Sequence, residues 1–218
     1  MNYPWELYAA TFIQILPAVG GLPHLRGLPT PRRWFLLWCV ISLVADGVWF
    51  VFGQVAGENL WLRTVTVPVR AAVLFWLLSL WQTGARSRRL MRQAITIFIP
   101  ATVLIALIWE GASSFGDKSG PMLQLAQLAA AVYTLVSRSV ASTDRLARED
   151  WFWITLGLSL YFAVNVALGP VAMALLPQDQ SFLVQVYVFK ARADILAFVL
   201  MTVGMLCPLP RNLSLKPT

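Results

Sequence analysis

The stretch Tyr187–Asp194 reads Y-V-F-K-A-R-A-D. It places three ionisable side chains, Lys190, Arg192 and Asp194, near the middle of an otherwise apolar run, Ser181–Cys207. The run is long enough to cross a bilayer. Each charge at a helix centre costs about 2.5–3.5 kcal/mol on an insertion scale, so roughly 8–10 for the three. The thirteen Leu, Ile, Val and Phe residues of the run return about 0.3–0.6 kcal/mol each, so roughly 4–8. A helix of this composition is marginal alone and calls for polar partners elsewhere in the chain. Lys190 and Asp194 are one turn apart and can pair within the helix. Arg192 is rotated about 200° from both, so it needs a second partner or a wide polar face.

The remaining charges in apolar runs are Glu6, Asp46, Arg63, Arg70 and Glu110. Asp46 and Arg70 fall at similar depth on consecutive runs and form the expected pair between helices. Arg63 lies near the outer end of its run, about 10.5 Å from Arg70 and on nearly the same face. Glu110 closes the next run. Gln124, Gln127, Asn165 and Gln185 add neutral polar groups, while the inner half has little beyond Ser42, Ser79, Thr155 and Ser159. The pattern predicts a polar cavity in the outer half, floored near Lys190 and Asp194. Its candidate ligand-binding residues are Asp46, Arg70, Lys190, Arg192, Asp194, Tyr187, Asn165, Arg63 and Glu110. Their mixed charge suits a small zwitterionic or anionic molecule. The bland alternative is a lattice of ion pairs that only fixes helix register, with polar contacts averaging about 0.6 kcal/mol. Tyr161, Tyr187 and Phe189 are read as packing before they are read as ligand stackers.

Positioning these groups falls to seven apolar runs: about Tyr3–Gly20, Trp34–Gly53, Leu60–Gln82, Ala94–Ile108, Pro121–Val136, Trp151–Leu176 and Ser181–Cys207. The fourth and fifth are short and are expected to borrow flanking residues. The chain is 58% hydrophobic with 12% charged residues, against about 25% charged in a soluble domain, and its mean hydropathy is +0.68. The predicted fold is an all-α membrane protein, a single seven-transmembrane-helix bundle spanning residues 1–218. Twelve Lys and Arg residues fall on one side: Arg26, Arg32 and Arg33; Arg86, Arg88, Arg89 and Arg92; Arg138, Arg145 and Arg148; Arg211 and Lys216. Only Lys118 and Arg63 fall on the other. The N-terminus is therefore expected outside and the C-terminus inside, in a multi-pass inner (plasma) membrane protein.

The net charge of +7 is accounted for by this topology rather than by nucleic acid. The Arg86–Arg92 cluster, read as a loop, also suits anionic lipid headgroups. Met1–Leu7 has no basic residue, so the first helix is expected to be retained rather than cleaved. Trp5, Trp34, Trp61, Trp81, Trp109, Trp151 and Trp153 mark run ends, as an interfacial belt does. Pro17, Pro68, Pro100 and Pro170 are read as kinks. No Gly-x-x-x-Gly lies in the runs, but Ala71-Ala72 and Ala129–Ala131 can let helices approach closely. Cys39 and Cys207 fall near the inner side, so no disulfide is expected, and the lone His24 leaves no His- or Cys-based metal site.

Asp46 precedes Arg70 by 24 residues and Asn165 precedes Lys190 by 25. This echo, with N-out topology, is similar to the SWEET and PQ-loop carriers in topology alone, because the only Pro-Gln pair here, Pro177-Gln178, is in a loop. Lys190 invites a retinal Schiff base. Microbial rhodopsins, however, place an Asp four residues before that lysine, where this chain has Val186. Asn59-Leu60-Trp61-Leu62, Phe152-Trp153-Ile154-Thr155-Leu156-Gly157 and Tyr161-Phe162…Asn165 resemble segments of a poorly characterised group of bacterial seven-transmembrane-helix proteins, with no activity to transfer. Catalysis has little to stand on, for no Ser-His-Asp set, Cys-His pair or phosphate loop is present. The leading expectation is a receptor-like or small-ligand-binding membrane protein. The alternatives are an accessory subunit bound to partner membrane subunits and a small-solute or proton-coupled transporter.

Overall fold

The computed structural model describes residues 4–55, 60–105, 108, 119–142, 146–175 and 180–208, and among these it is all helical. The helices are α1 (Trp5–Ile13), α2 (Ile15–Gly21), α3 (Thr30–Val55), α4 (Leu60–Leu80), α5 (Ala85–Ile105), α6 (Ser119–Ala141), α7 (Asp150–Leu175) and α8 (Gln180–Leu206). The first two make one rod interrupted at Gln14, whose backbone stays in the right-handed region. Pro17 explains the interruption, because it has no N–H for the Ile13 carbonyl and its ring crowds that carbonyl. Seven rods result. Pro68 and Pro100, by contrast, sit inside the continuous helices α4 and α5.

Neighbours in sequence are neighbours in space, and α8 returns to pack on α1 and α2 as well as on α7. The rods thus close into a ring, with α4 also touching α6 across it. The ends of α2, α4, α6 and α8 and the starts of α3, α5 and α7 share one end of the bundle. This end carries most of the arginines and is called here the basic end. Two expectations change there. Arg86–Arg92 is not a loop but the opening turns of α5, and Arg32 and Arg33 belong to the first turn of α3 behind Pro31. Arginine is a good helix former, and proline favours the first helical position, so both helices take in flanking residues that hydropathy alone leaves out. Trp81 and Trp151 are also core residues, 3% and 1% exposed, rather than members of an interfacial belt.

The core follows helical periodicity. On α4 the buried positions include Ala71, Leu74, Phe75 and Leu78, widened by Leu77 and Ser79; on α7 they include Trp151, Ile154, Leu158 and Phe162, widened by Thr155 and Ser159. α7 and α8 have the most extensive contact and come closest at glycines. A Cβ on Gly157 would lie 2.6 Å from the Ala197 carbonyl oxygen, and one on Gly204 would lie 2.9 Å from that of Asp150. The opposite faces stay apolar and exposed, with Val44, Val65, Ile97, Leu125 and Leu196 among them. Of the described residues, one helical stretch, Asp150–Leu168, is long and apolar enough to cross a membrane, at a mean hydropathy of 1.6; Val65–Leu80 is apolar but shorter.

Candidate ligand-binding site

Asp194 shares the inward face of α8 with Ala191, Phe198, Met201 and Met205, all buried. That register, not the residue's polarity, puts its carboxylate inside. Lys190, one turn earlier, donates to Asp194 Oδ2 at 2.5 Å. Across the ring, Arg70 of α4 donates from Nη2 to Asp46 Oδ1 of α3 at 2.9 Å. The same guanidinium also reaches Ser42, with Nε to the hydroxyl at 3.0 Å and Nη2 to the carbonyl at 2.9 Å. Both pairs expected from the sequence form.

Between them lies a cavity of about 270 Å³. Its charged lining is Asp46, Lys190 and Asp194, and its aromatic lining is Tyr161, Tyr187 and Phe198. Gln14, at the break between α1 and α2, completes the wall with Ala10 and Ala191. Tyr161 stands within electrostatic reach of all four charges, Lys190, Asp194, Arg70 and Asp46. Its ring packs on Phe198, with centroids 5.6 Å apart. One atom is left over: Asp194 Oδ1 is buried and takes no hydrogen bond from the described residues. A buried carboxylate oxygen without a donor is costly.

The candidates divide as follows. Asp46, Lys190, Asp194 and Tyr187 line the cavity; Arg70 stands behind Asp46 and holds it. Arg192 is not a cavity residue. It donates from Nη2 to Glu6 Oε1 at 2.9 Å, and its side chain is 68% exposed against 9% for Glu6. Asn165 donates to the Tyr161 carbonyl one turn back at 2.7 Å, so the echo of the Asp46–Arg70 pair in Asn165 and Lys190 does not become a second pair. Glu110 lies outside the described residues, and of Arg63 only the backbone is described.

The cavity also sits deeper than expected. Counting helical rise from the basic end, Asp46 and Lys190 lie about 24 Å up, Asp194 about 18 Å and Phe198 about 12 Å. The floor is therefore Phe198 and Gln14, in the half of the bundle nearer the basic end. Sequence reasoning missed Tyr161, Gln14 and Phe198 as lining residues. Tyr161 and Phe198 have the ordinary signature of core aromatics, and only the rotation of α7 and α8 brings them to the wall.

A second polar cluster lies at the basic end. Arg32, 2% exposed, donates from Nε to Asp150 Oδ2 at 2.6 Å and from Nη1 to the Cys207 carbonyl at 2.8 Å. Asp150 Oδ1 in turn accepts from the Trp151 backbone N–H at 2.7 Å. Nearby, Arg138 donates to the Trp81 carbonyl at 3.1 Å and lies over the Trp151 ring, 5.0 Å from its centroid. Gln82 bonds Thr134 at 2.7 Å. These bonds tie α3, α4, α6, α7 and α8 together at the basic end, below the cavity. Cys39 and Cys207 are free thiols, both buried.

Comparison with family models, with curated proteins and with solved structures gave no match.

Proposed function

We propose that this chain is a multi-pass inner-membrane protein, N-terminus out and C-terminus in, that binds a small polar molecule in the cavity between α1, α3, α7 and α8. The observation that carries this reading is the cavity of about 270 Å³ that gathers the charged side chains of Asp46, Lys190 and Asp194 with the rings of Tyr161, Tyr187 and Phe198. The apolar outer faces of the rods, the one-sided distribution of arginines and the paired interior charges support placement in a bilayer. The bonded layer at the basic end supports a closed binding protein over a transporter, since it blocks the inward path.

The test is thermal unfolding of the purified protein in detergent, with and without the dialysable small-molecule fraction of its host cells. The wild type is expected to be stabilised. Lys190→Ala and Arg70→Ala should stay folded and lose the effect. If the fraction stabilises neither wild type nor variants, the cavity has no small-molecule role.

A second reading rests on Arg192. It is exposed on a stripe of α8 with Phe189, Leu196, Val199 and Val203, which are also exposed. A charge on an outward apolar face suits a partner membrane subunit. Stoichiometric co-purification in mild detergent that is lost in Arg192→Leu would favour it, and a monomer throughout would count against it.

A further inference from the structure

We infer that the opening turns of α5 hold the phosphate headgroup of an anionic phospholipid. The inference rests on the proposed placement in a bilayer and is independent of the cavity between α1, α3, α7 and α8. An open cleft on α5 is lined by Ala85, Arg88, Arg89, Arg92, Gln93 and Thr96, all of them exposed. Three of the six are arginines, and Arg92 follows Arg88 and Arg89 by four and three residues, one helical turn on the same face. Two of the three are already anchored. Arg88 donates from Nη2 to the Gln82 carbonyl at 3.1 Å, and the Arg92 guanidinium lies over the Trp76 ring, 4.6 Å from its centroid. A guanidinium has five N–H donors, so each keeps donors for a ligand.

The charges of this cleft are not offset from within. The ion pairs of the described residues take Arg32, Arg70, Lys190 and Arg192, and none takes Arg88, Arg89 or Arg92. α5 itself contains no acidic residue. Like charges three and four residues apart on a helix repel, and cations at a helix N-terminus oppose the helix dipole. α5 therefore begins against its own electrostatics twice over, and an anion in the cleft relieves both. The inside-positive rule accounts for arginines at this end but not for three of them on one cleft. Other arginines of the basic end bind the protein itself: Arg32 on Asp150, Arg33 on the Leu28 and Arg26 carbonyls, and Arg138 on the Trp81 carbonyl.

The fork of a guanidinium matches the oxygens of a phosphate two at a time, which sets the class of anion. What continues the cleft sets its source. Ile97, Pro100 and Leu104 extend the same side of α5 beyond Thr96, and all three are exposed. Leu104 lies about 18 Å from Arg92 by helical rise, comparable with the roughly 15 Å of hydrocarbon in one leaflet. A phospholipid thus meets arginines at its head and an apolar track along its chains, whereas a free phosphate has no use for the track. The proposed topology also turns the basic end to the cytoplasmic leaflet, where anionic lipids lie.

The experiment is native mass spectrometry of the purified full chain in a neutral detergent, titrated separately with phosphatidylglycerol and with phosphatidylcholine, whose choline cation the arginines repel. The expected result is that phosphatidylglycerol is retained about tenfold more strongly or better, the value of a charge-assisted hydrogen bond. Arg89→Gln should weaken that retention by about tenfold on the same basis. Arg86→Gln removes the same charge from an exposed position outside the cleft and should stay within about twofold of wild type. The comparison of the two lipids needs no variant, so the inference stays testable if Arg89→Gln does not fold. Inorganic phosphate at the lipid's concentration should not displace phosphatidylglycerol; if it does, the cleft takes soluble phosphates and the lipid assignment falls. Equal retention of the two lipids, or equal losses in Arg86→Gln and Arg89→Gln, overturns the headgroup site and leaves the bilayer placement standing. A chain that is folded and monodisperse without detergent overturns both.

Discussion

Replacing Arg32 with alanine removes a side chain that is 2% exposed and bonds three helices together at the basic end. Two losses follow. Asp150, whose side chain is 17% exposed, keeps the Trp151 N–H but loses its cation. Removing one partner of a buried pair costs about 3–5 kcal/mol, and the retained N–H and partial exposure place this case near 3. The Cys207 carbonyl, near the end of α8, loses a charged donor; water can replace it there, so the loss is about 1 kcal/mol. The sum, about 4 kcal/mol, corresponds to a fall in Tm of about 8–16 °C for a chain of this length. Circular dichroism of the purified protein reads the shift. Arg32→Lys should recover less than half, because an ammonium lacks the fork that spans Asp150 and the Cys207 carbonyl together. Arg86→Ala, an exposed arginine on the same end, should change stability by no more than about 0.5 kcal/mol. If Arg32→Ala melts within about 2 °C of wild type, less than 1 kcal/mol by the same conversion, the buried network is not an anchor and the reasoning fails.

Two glycines give opposite expectations in the same assay. Gly157→Ala drives a methyl group against the Ala197 carbonyl and Met201 and should cost about 1–3 kcal/mol by forcing α7 and α8 apart. Gly47→Ala meets nothing within 4 Å and should gain about 0.5–1 kcal/mol from helix propensity; a loss there would show that α3 is covered at that point. Gln82→Leu removes the 2.7 Å bond to Thr134 from a side chain that is 3% exposed and should lower stability by about 1–2 kcal/mol. Thr134→Val in the same background should then add little, and full additivity would deny the bond.

What the sequence could and could not reveal follows from rotation and depth. Depth is a count along the chain, so Asp46 and Arg70 could be matched in advance. Lys190 and Asp194 are a turn apart, so their pairing needs no tertiary information. Arg192 could be turned away from them by angle alone, but its partner, Glu6, lies 186 residues distant. Nothing local announces that α8 closes the ring on α1. Tyr161 and Phe198 were hidden for another reason. An aromatic beside a cavity and an aromatic in a core have the same neighbours in sequence, and only the packing of α7 against α8, set by Gly157 and Gly204, decides between them.

Arg32 shows how one explanation can mask another. An arginine between two apolar runs is fully accounted for by the inside-positive rule, so its burial leaves no residue of surprise in the sequence. Its partner carries the signal instead. Asp150 is an acid among basic loops, one residue before a tryptophan and at the first position of α7. An acid there complements the N-terminal end of the helix dipole, and its second oxygen remains free to hold a cation from elsewhere. In a chain with ten acidic residues against seventeen basic ones, the acids are the scarcer and more informative group. Asp46, Asp150, Asp194 and Glu6 each fix an arginine or lysine in this fold. Three of them hold helices together across the bundle. Asp194 alone pairs within its own helix, so its place on the cavity wall is set by the register of α8 and not by a partner on another helix.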